Sequence, residues 1–290
     1  MAKEAWGKWG DDDERGALNF IGPSEVTRAC ALVKQGRVIS LAQPLSKRMQ
    51  VPPHRPGVMH FMDRDGGDYA AGARQVHGFQ FADDTLLVPL HCGTHIDGLC
   101  HAWYDNLLYN GFPGNSIRST SGAVHCGVDK YPPIATRGVL LDVAGLNGGP
   151  LKSGEAIGAD RLASAAKHAR VEIDKGDAVL IRTGWQESQT GETSDFNREP
   201  GLDLEGALWL AEAEVALVGA DNFAIEAMPF PDGTIFPVHQ RLIRDYGIPL
   251  LEGLVLAPLA EAGASAFLFF AAPLPVVGAT GSPLTPVAVL

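Results

Sequence analysis

The sequence has no uninterrupted apolar run of the roughly 20 residues that span a bilayer, and its start lacks the roughly 7 to 15 residue apolar core of a signal peptide. No membrane partner is indicated, and the cytoplasm is the expected location. Basic residues are in short supply: 23 Lys and Arg face 34 Asp and Glu, for a formal net charge of -11. Proteins that grip a phosphate backbone gain affinity from clustered Lys and Arg, so nucleic acid is not expected as a partner. The four cysteines, Cys30, Cys92, Cys100 and Cys126, form neither a disulfide framework nor paired Cys-x-x-Cys zinc knuckles, and read as small apolar packing residues. There is no Gly-x-Gly-x-x-Gly after a strand and no Gly-x-x-x-x-Gly-Lys-Ser/Thr, which removes dinucleotide and NTP chemistry. The Gly-x-Ser-x-Gly nucleophile elbow is absent too. An activated water is left as the nucleophile of any hydrolysis.

What is present is a globular composition, with 46% hydrophobic and 20% charged residues, 34 Gly and 20 Pro, and no linker or internal repeat that would divide the chain. Its densest chemistry lies in His91-Cys-Gly-Thr-His95-Ile-Asp97-Gly-Leu-Cys-His101. Nine histidines in 290 residues predict ~0.3 in any window of eleven, where three are found, and such counts are how a stretch is weighed. On a helix Asp97 would lie about 200° from His95. On an extended chain positions 91, 95, 97 and 101 share one parity, and Leu86-Leu-Val-Pro-Leu90 reads as a buried strand leading into them. Gly93 and Gly98 let the backbone bend or approach a ligand. Imidazole and carboxylate are the donors that zinc or manganese accepts, and His91, His95 and Asp97 supply the three protein ligands of a catalytic site with one position open.

His91 to His101 resembles the His-x-Gly-Thr-His-x-Asp-x-Pro-x-His motif of the cyclase-like metal-dependent hydrolases, a family that includes bacterial kynurenine formamidase and isatin hydrolase. Leu99 stands at the proline of many members. The likeness extends to Trp6-Gly7, Asp13 to Asn19, Tyr109 to Phe112, Arg137 to Asp142, Gly176 to Gly184, Val238-His239 and Leu251 to Leu254. It implies a single-domain α/β chain of the swivelling β/β/α class, mostly sheet with flanking helices, assembled as a homodimer or homotetramer. It also implies that His239 and Glu252 complete the site, as ligands of a second ion or, for Glu252, as the acid/base group beside a single one. One or two Zn2+ or Mn2+ ions per chain would then be held by His91, His95, Asp97, His239 and Glu252, with Asp97 bridging if there are two. His101 would carry protons. The function implied is hydrolysis of a C–N bond in a small amide or cyclic amide. A lactone hydrolase or dehydratase using the same metal, and a metal-dependent small-molecule binding protein without turnover, stand as alternatives.

Within that frame, residues 1–36 are expected as an N-terminal arm and helix, 37–272 as the hydrolase domain, and 273–290 as an extended Pro-rich arm. Asp11 to Glu14 reads as a solvated charge run. A helix is expected from Pro23-Ser24 to about Lys34, with Ser24 as N-cap and Gly36 as stop, then a strand over Val38 to Leu41. Pro52 to Gly78 reads as one long loop holding His54, His60 and His77, each able to touch substrate or merely to face solvent. Trp103, Tyr104 and Phe112 could line a pocket for a planar substrate or pack in the core. Strands are expected over 124–127, 137–143, 177–183, 215–219, 250–256 and 264–271, and helices over 159–169, 203–213 and 237–246.

Overall fold

The computed structural model describes residues 5–72, 77–189 and 195–290. In chain order the strands of three or more residues are β1 Val38–Ser40, β2 Met59–Arg64, β3 Asp83–Leu87, β4 His95–Asp97, β5 Ile134–Asp142, β6 Ala178–Arg182, β7 Leu217–Ala220, β8 Leu250–Glu252, β9 Ala266–Ala271, β10 Gly281–Pro283 and β11 Val287–Val289. All but β2 and β3 belong to one nine-stranded sheet in the order β1-β11-β9-β5-β6-β7-β8-β4-β10. Strands β5 to β8 run parallel, and every other neighbouring pair in this sheet is antiparallel. Parallel neighbours need crossover connections, and the flanking helices supply them. Helix α1 is Pro23–Cys30, α2 is Ala159–Ala169 between β5 and β6, and α3 is Leu204–Glu212 between β6 and β7. Helix α4, Pro237–His239, continues as the π-helix Gln240–Asp245 and links β7 to β8. The result is a single-domain mixed α/β fold, a large sheet with flanking helices.

The parallel strands read as continuous apolar runs because both of their faces are covered. Val139, Leu141, Val179, Leu180, Leu217, Val218, Leu250 and Leu251 are all buried. Helix α2 spans the residues its pattern predicts, and α3 starts after Asp203, whose carboxylate accepts from Gly206 N at 2.8 Å.

Several expectations are corrected. Helix α1 is capped at Gly22, not Ser24, because Pro23 occupies the first turn and the Glu25 carboxylate accepts from Gly22 N at 2.9 Å. The helix ends at Cys30, and Cys30 is exposed, whereas the other three cysteines are buried. The stretch Pro52 to Gly78, of which 73–76 lie outside the described residues, is not one loop: it holds β2 and the one-turn helix Gly66–Ala70. Strand β2 pairs antiparallel with β3 alone. Leu86 and Leu87 therefore lie on an exposed hairpin rather than in a buried strand. No strand covers 124–127, where Cys126 adopts φ 61°; the adjacent pairing is Ile117–Arg118 with Gly122–Ala123. In the charge run, Asp13 is engaged: its carboxylate accepts from Asn19 Nδ2 at 2.7 Å and from Tyr109 Oη at 2.9 Å. The chain after Pro273 is extended, and it enters the main sheet as β10 and β11.

Candidate metal centre

Strand register brings the first pair of groups together. Strand β4 lies between β8 and β10, with Glu252 opposite His95 and Gly281 opposite Asp97. Directly paired residues of an antiparallel ladder point their side chains to the same face, a few ångströms apart. Residues 95 and 97 share that face by the period of the strand. Glu252 ends the last of the parallel strands, where open α/β sheets place ligands.

The other members arrive from outside the ladder. His91 precedes Gly93, whose φ of 60° turns the chain before β4. A Cβ at residue 281 would come within 2.4 Å of the His91 ring, so glycine there makes the room for this imidazole. His239 comes from α4, and His101 closes the turn after β4 with its N–H donating to Gly98 O at 2.9 Å.

His95 Nε2 lies 3.1 Å from Glu252 Oε2 and 3.8 Å from Asp97 Oδ1. His239 Nε2 lies 3.2 Å from Glu252 Oε1 and 3.8 Å from Asp97 Oδ2. The opposite nitrogens are committed: His95 Nδ1 faces Gly93 O at 3.0 Å and His239 Nδ1 faces Glu226 Oε1 at 2.6 Å. Donation from Nδ1–H to those oxygens leaves the lone pair on Nε2, the arrangement by which metal-binding imidazoles are oriented. His91 Nδ1 lies 2.7 Å from Asp97 Oδ1, and its Nε2 lies 3.0 Å from Thr280 Oγ1. The His91 ring stacks on His101 with centroids 3.9 Å apart.

Candidate ligand atoms fall into two triads that share Asp97, one of His95, Asp97 and Glu252, the other of His91, Asp97 and His101, each with its atoms within 4.8 Å of one another. Sequence spacing grouped His91 with His95; the structure divides them between triads and adds His101 to the second. His239 sits beside the first.

His95, Asp97, His239 and Glu252 are all buried, and His95 Nε2, Asp97 Oδ2 and Glu252 Oε1 lack a hydrogen-bond partner. Burying an ion costs several kcal/mol unless it is well paired, and orphaned buried polar atoms are rare in folded proteins. With one ligand atom each of His95, Asp97 and Glu252 within 4.8 Å of the others, these nitrogen and carboxylate donors fit a divalent cation. Burial works to raise the Asp97 carboxyl, but the imidazoles of His101, His91 and His95 hold it far below the usual range. Burial and Asp97 both push Glu252 up, and His239 and His95 outweigh them to lower it. For His95 burial pulls down, while Glu252 and Asp97 raise it. Burial pushes His101 down to about 4, against the pull of Asp97, so at neutral pH its imidazole is uncharged.

A cavity of about 640 Å³ opens over this cluster, lined by His101, His239 and Glu252 from the site and by Trp103, Phe196, Phe223, Phe230 and Phe236. Of the loop histidines, exposed His54 lines the cavity. His60 pairs with Asp84 on the hairpin at 2.5 Å, and His77 is exposed outside the cavity lining. Tyr104 turns away to bond Asp245 at 2.8 Å, and Phe112 stacks on His125 at 4.2 Å. Sequence reading missed Glu226, Thr280, Arg55, Phe196 and Phe223. For Glu226 a signal existed, a single carboxylate inside the apolar run Ala224-Ile-Glu-Ala-Met228. Thr280 and Arg55 carried none.

A mixed α/β domain with buried imidazoles and carboxylates at the end of its parallel strands, under an aromatic cavity, defines a metal-centre class. The comparisons make it specific: the family model named Cyclase matches residues 39–227, and the chain belongs to that family. A solved "novel cyclase" is 37% identical with a TM-score of 0.92, over 99% of this chain and 97% of that one. Isatin hydrolase A from Ralstonia solanacearum is 22% identical with a TM-score of 0.65, over 87% of this chain and 91% of its own. A "predicted metal-dependent hydrolase" from Bacillus stearothermophilus is 21% identical with a TM-score of 0.56, over 87% and 97%. No curated protein matches the chain.

Proposed function

We propose that this chain is a metal-dependent hydrolase that cleaves a C–N bond of a small amide or cyclic amide. The observation that carries the reading is the buried cluster of His95, Asp97 and Glu252, with His239 beside it, at the floor of the cavity. Support comes from the isatin hydrolase and metal-dependent hydrolase among the structural neighbours. His91, His95, Asp97, His239 and Glu252 would hold zinc or manganese, and Asp97, common to both triads, would be shared if two ions bind. When bound, such an ion supplies Lewis acidity and a water activated near neutral pH.

The chain's own residues do the rest. Trp103 and the phenylalanines of the cavity give a planar acyl group an apolar seat and limit access of bulk water. His101, neutral and lining the same cavity, accepts a proton at its free ring nitrogen as the attacking water adds to the carbonyl carbon. It returns that proton to the nitrogen as the C–N bond breaks, giving carboxylate and amine. Positioned general acid/base catalysis of this kind contributes about 10²- to 10⁴-fold.

The test is turnover by metal-replete protein on N-formylkynurenine, isatin, simple lactams and the matching lactones. Amide turnover that is lost together with bound metal in Asp97→Ala, and lost without it in His101→Asn, is the expected pattern. Preference for lactones moves the reading to ester chemistry. Full metal content in Asp97→Ala overturns the ligand role of that carboxylate, and native kcat in His101→Asn overturns proton transfer by His101. We also read the chain as assembling into a homodimer or homotetramer, with a cytoplasmic location. Among the described residues no helix is long and apolar enough to cross a membrane.

A further inference from the structure

Arg55 is the one Lys or Arg among the described residues that line the cavity. The turn from Pro52 to Arg55 holds it there, with Arg55 N donating to Pro52 O at 2.9 Å. Its Nη1 donates to His91 O at 2.5 Å, and the guanidinium lies over the Phe223 ring, 5.2 Å from the centroid. Phe223 itself meets Phe196 edge-on at 5.1 Å and tilts toward the His95 ring at 5.6 Å. The cation is therefore fixed beside the metal centre, against an aromatic wall.

A guanidinium presents five N–H donors in a planar fork that fits a carboxylate through two bonds. One of the five is accounted for by His91 O, and among the described residues no carboxylate pairs with Arg55. The nearby acids are otherwise engaged: Asp97 and Glu252 face imidazoles, and Glu226 faces His239. A charge held in an apolar, partly enclosed site is costly unless an opposite charge joins it. Among the described residues none supplies that charge, which points to the ligand for it.

We propose that Arg55 determines specificity by holding a carboxylate of the substrate, and that the substrates are aromatic acids whose ring also carries the hydrolysable acyl-nitrogen bond. The aromatic part comes from the cavity walls, and a volume of about 640 Å³ suits one or two rings, within the usual size of small-molecule sites. The second half of this inference rests on the hydrolase reading above; the anion site does not.

Two probe pairs separate them. Anthranilate and aniline, titrated calorimetrically into metal-replete protein, differ only in the ring carboxylate. N-formylanthranilate and formanilide repeat that difference in substrates. In the native protein the acid of each pair is expected to be favoured. Arg55→Gln should weaken anthranilate by about 10- to 100-fold, the range for a hydrogen bond to a charged group, and Arg55→Lys should restore part of it. In turnover the loss should fall on KM for N-formylanthranilate, collapsing its advantage over formanilide. Anthranilate affinity unchanged in Arg55→Gln would mean that its carboxylate sits elsewhere, on the metal included, and overturns the assignment. Equal affinity for the two probes in the native protein overturns it as well. Arg55-dependent binding of anthranilate without hydrolysis of either formamide would instead overturn the substrate half of this inference and keep the anion site; if isatin and the lactams are not turned over either, the hydrolase reading falls with it.

Discussion

Glu226 shows how one side chain can set the properties of another. Its Oε1 accepts from His239 Nδ1 at 2.6 Å and from His239 N at 3.1 Å, and its Oε2 accepts from Val238 N at 3.1 Å. The same carboxylate thus fixes the imidazole tautomer and receives the first free N–H groups of α4. Its charge also raises His239 well above an ordinary histidine, against the downward pull of burial. Partners of this kind are worth about 10- to 100-fold in metal affinity. Glu226→Gln is expected to weaken zinc binding by that factor, measured by competition with a chelating indicator, with a small fall in Tm because one N–H of the helix start then meets an amide nitrogen. Native zinc affinity in this variant would show that the imidazole is oriented by packing alone.

At the level of elements, legibility followed how local the cause was. Helix α2 could be read from its sequence because its apolar face, its acidic first turn and its basic last turn all lie within the segment itself. His95 and Asp97 could be read because strand parity needs only two residues. The hairpin β2-β3 could not, since neither of its faces is buried and no alternation of apolar and polar residues marks it. Thr280 and Gly281 reach His91 only through the pairing of β10 with β4, a contact across nearly 190 positions that composition does not encode. Arg55 is placed by a turn whose neighbours are likewise distant in the chain.

The loop preceding α3 holds a further group with a measurable consequence. Glu199 is fully buried; its Oε2 accepts from Phe223 N at 2.7 Å and Ala224 N at 3.1 Å, and its Oε1 has no partner. Burial pushes this carboxyl up to about 8, outweighing the two backbone N–H groups. In an unfolded chain a glutamate titrates near ~4.3. Between those values the folded state keeps a proton that the unfolded state has lost, so this group's contribution makes stability fall as pH rises, and the fall ends above about pH 8. Glu199→Gln removes the titration while leaving an oxygen for Phe223 N. Urea unfolding of the metal-free proteins at about pH 5, 6.5 and 8 should show the native chain losing more stability over the series than the variant. Parallel curves would mean that Glu199 is ionised in the folded protein throughout.

For the whole molecule, the homo-oligomer proposed above would turn on the hairpin. Met59 and Phe61 stand opposite Leu87 and Thr85 on one face, and His60 and Met62 opposite Leu86 and Asp84 on the other. Phe61 is 54% exposed and Leu87 55%, with Met59, Met62, Leu86 and Phe79 also largely open. A two-stranded ribbon with both faces uncovered is marginal in water. Over the two faces together these side chains offer on the order of 500 Å² of apolar surface, against the roughly 800 Å² that each partner contributes to a standard interface. A net charge of -11 makes copies of the chain repel one another, so association has to come from apolar area, and the hairpin carries five of the exposed large apolar side chains, Met59, Phe61, Met62, Leu86 and Leu87. We therefore expect two copies to pack hairpin against hairpin about a two-fold axis. The cavity lining at Pro52, Pro53, His54 and Arg55 precedes β2 by a few residues, so the same contact would steady the residues proposed to meet substrate. Light scattering is expected to give a multiple of the 30.8 kDa chain mass for the native protein and the single mass for Phe61→Glu/Leu87→Glu, with unchanged far-UV dichroism and a raised KM. A native protein that is monomeric at micromolar concentration, or a double variant that keeps its assembly, would move the interface off the hairpin.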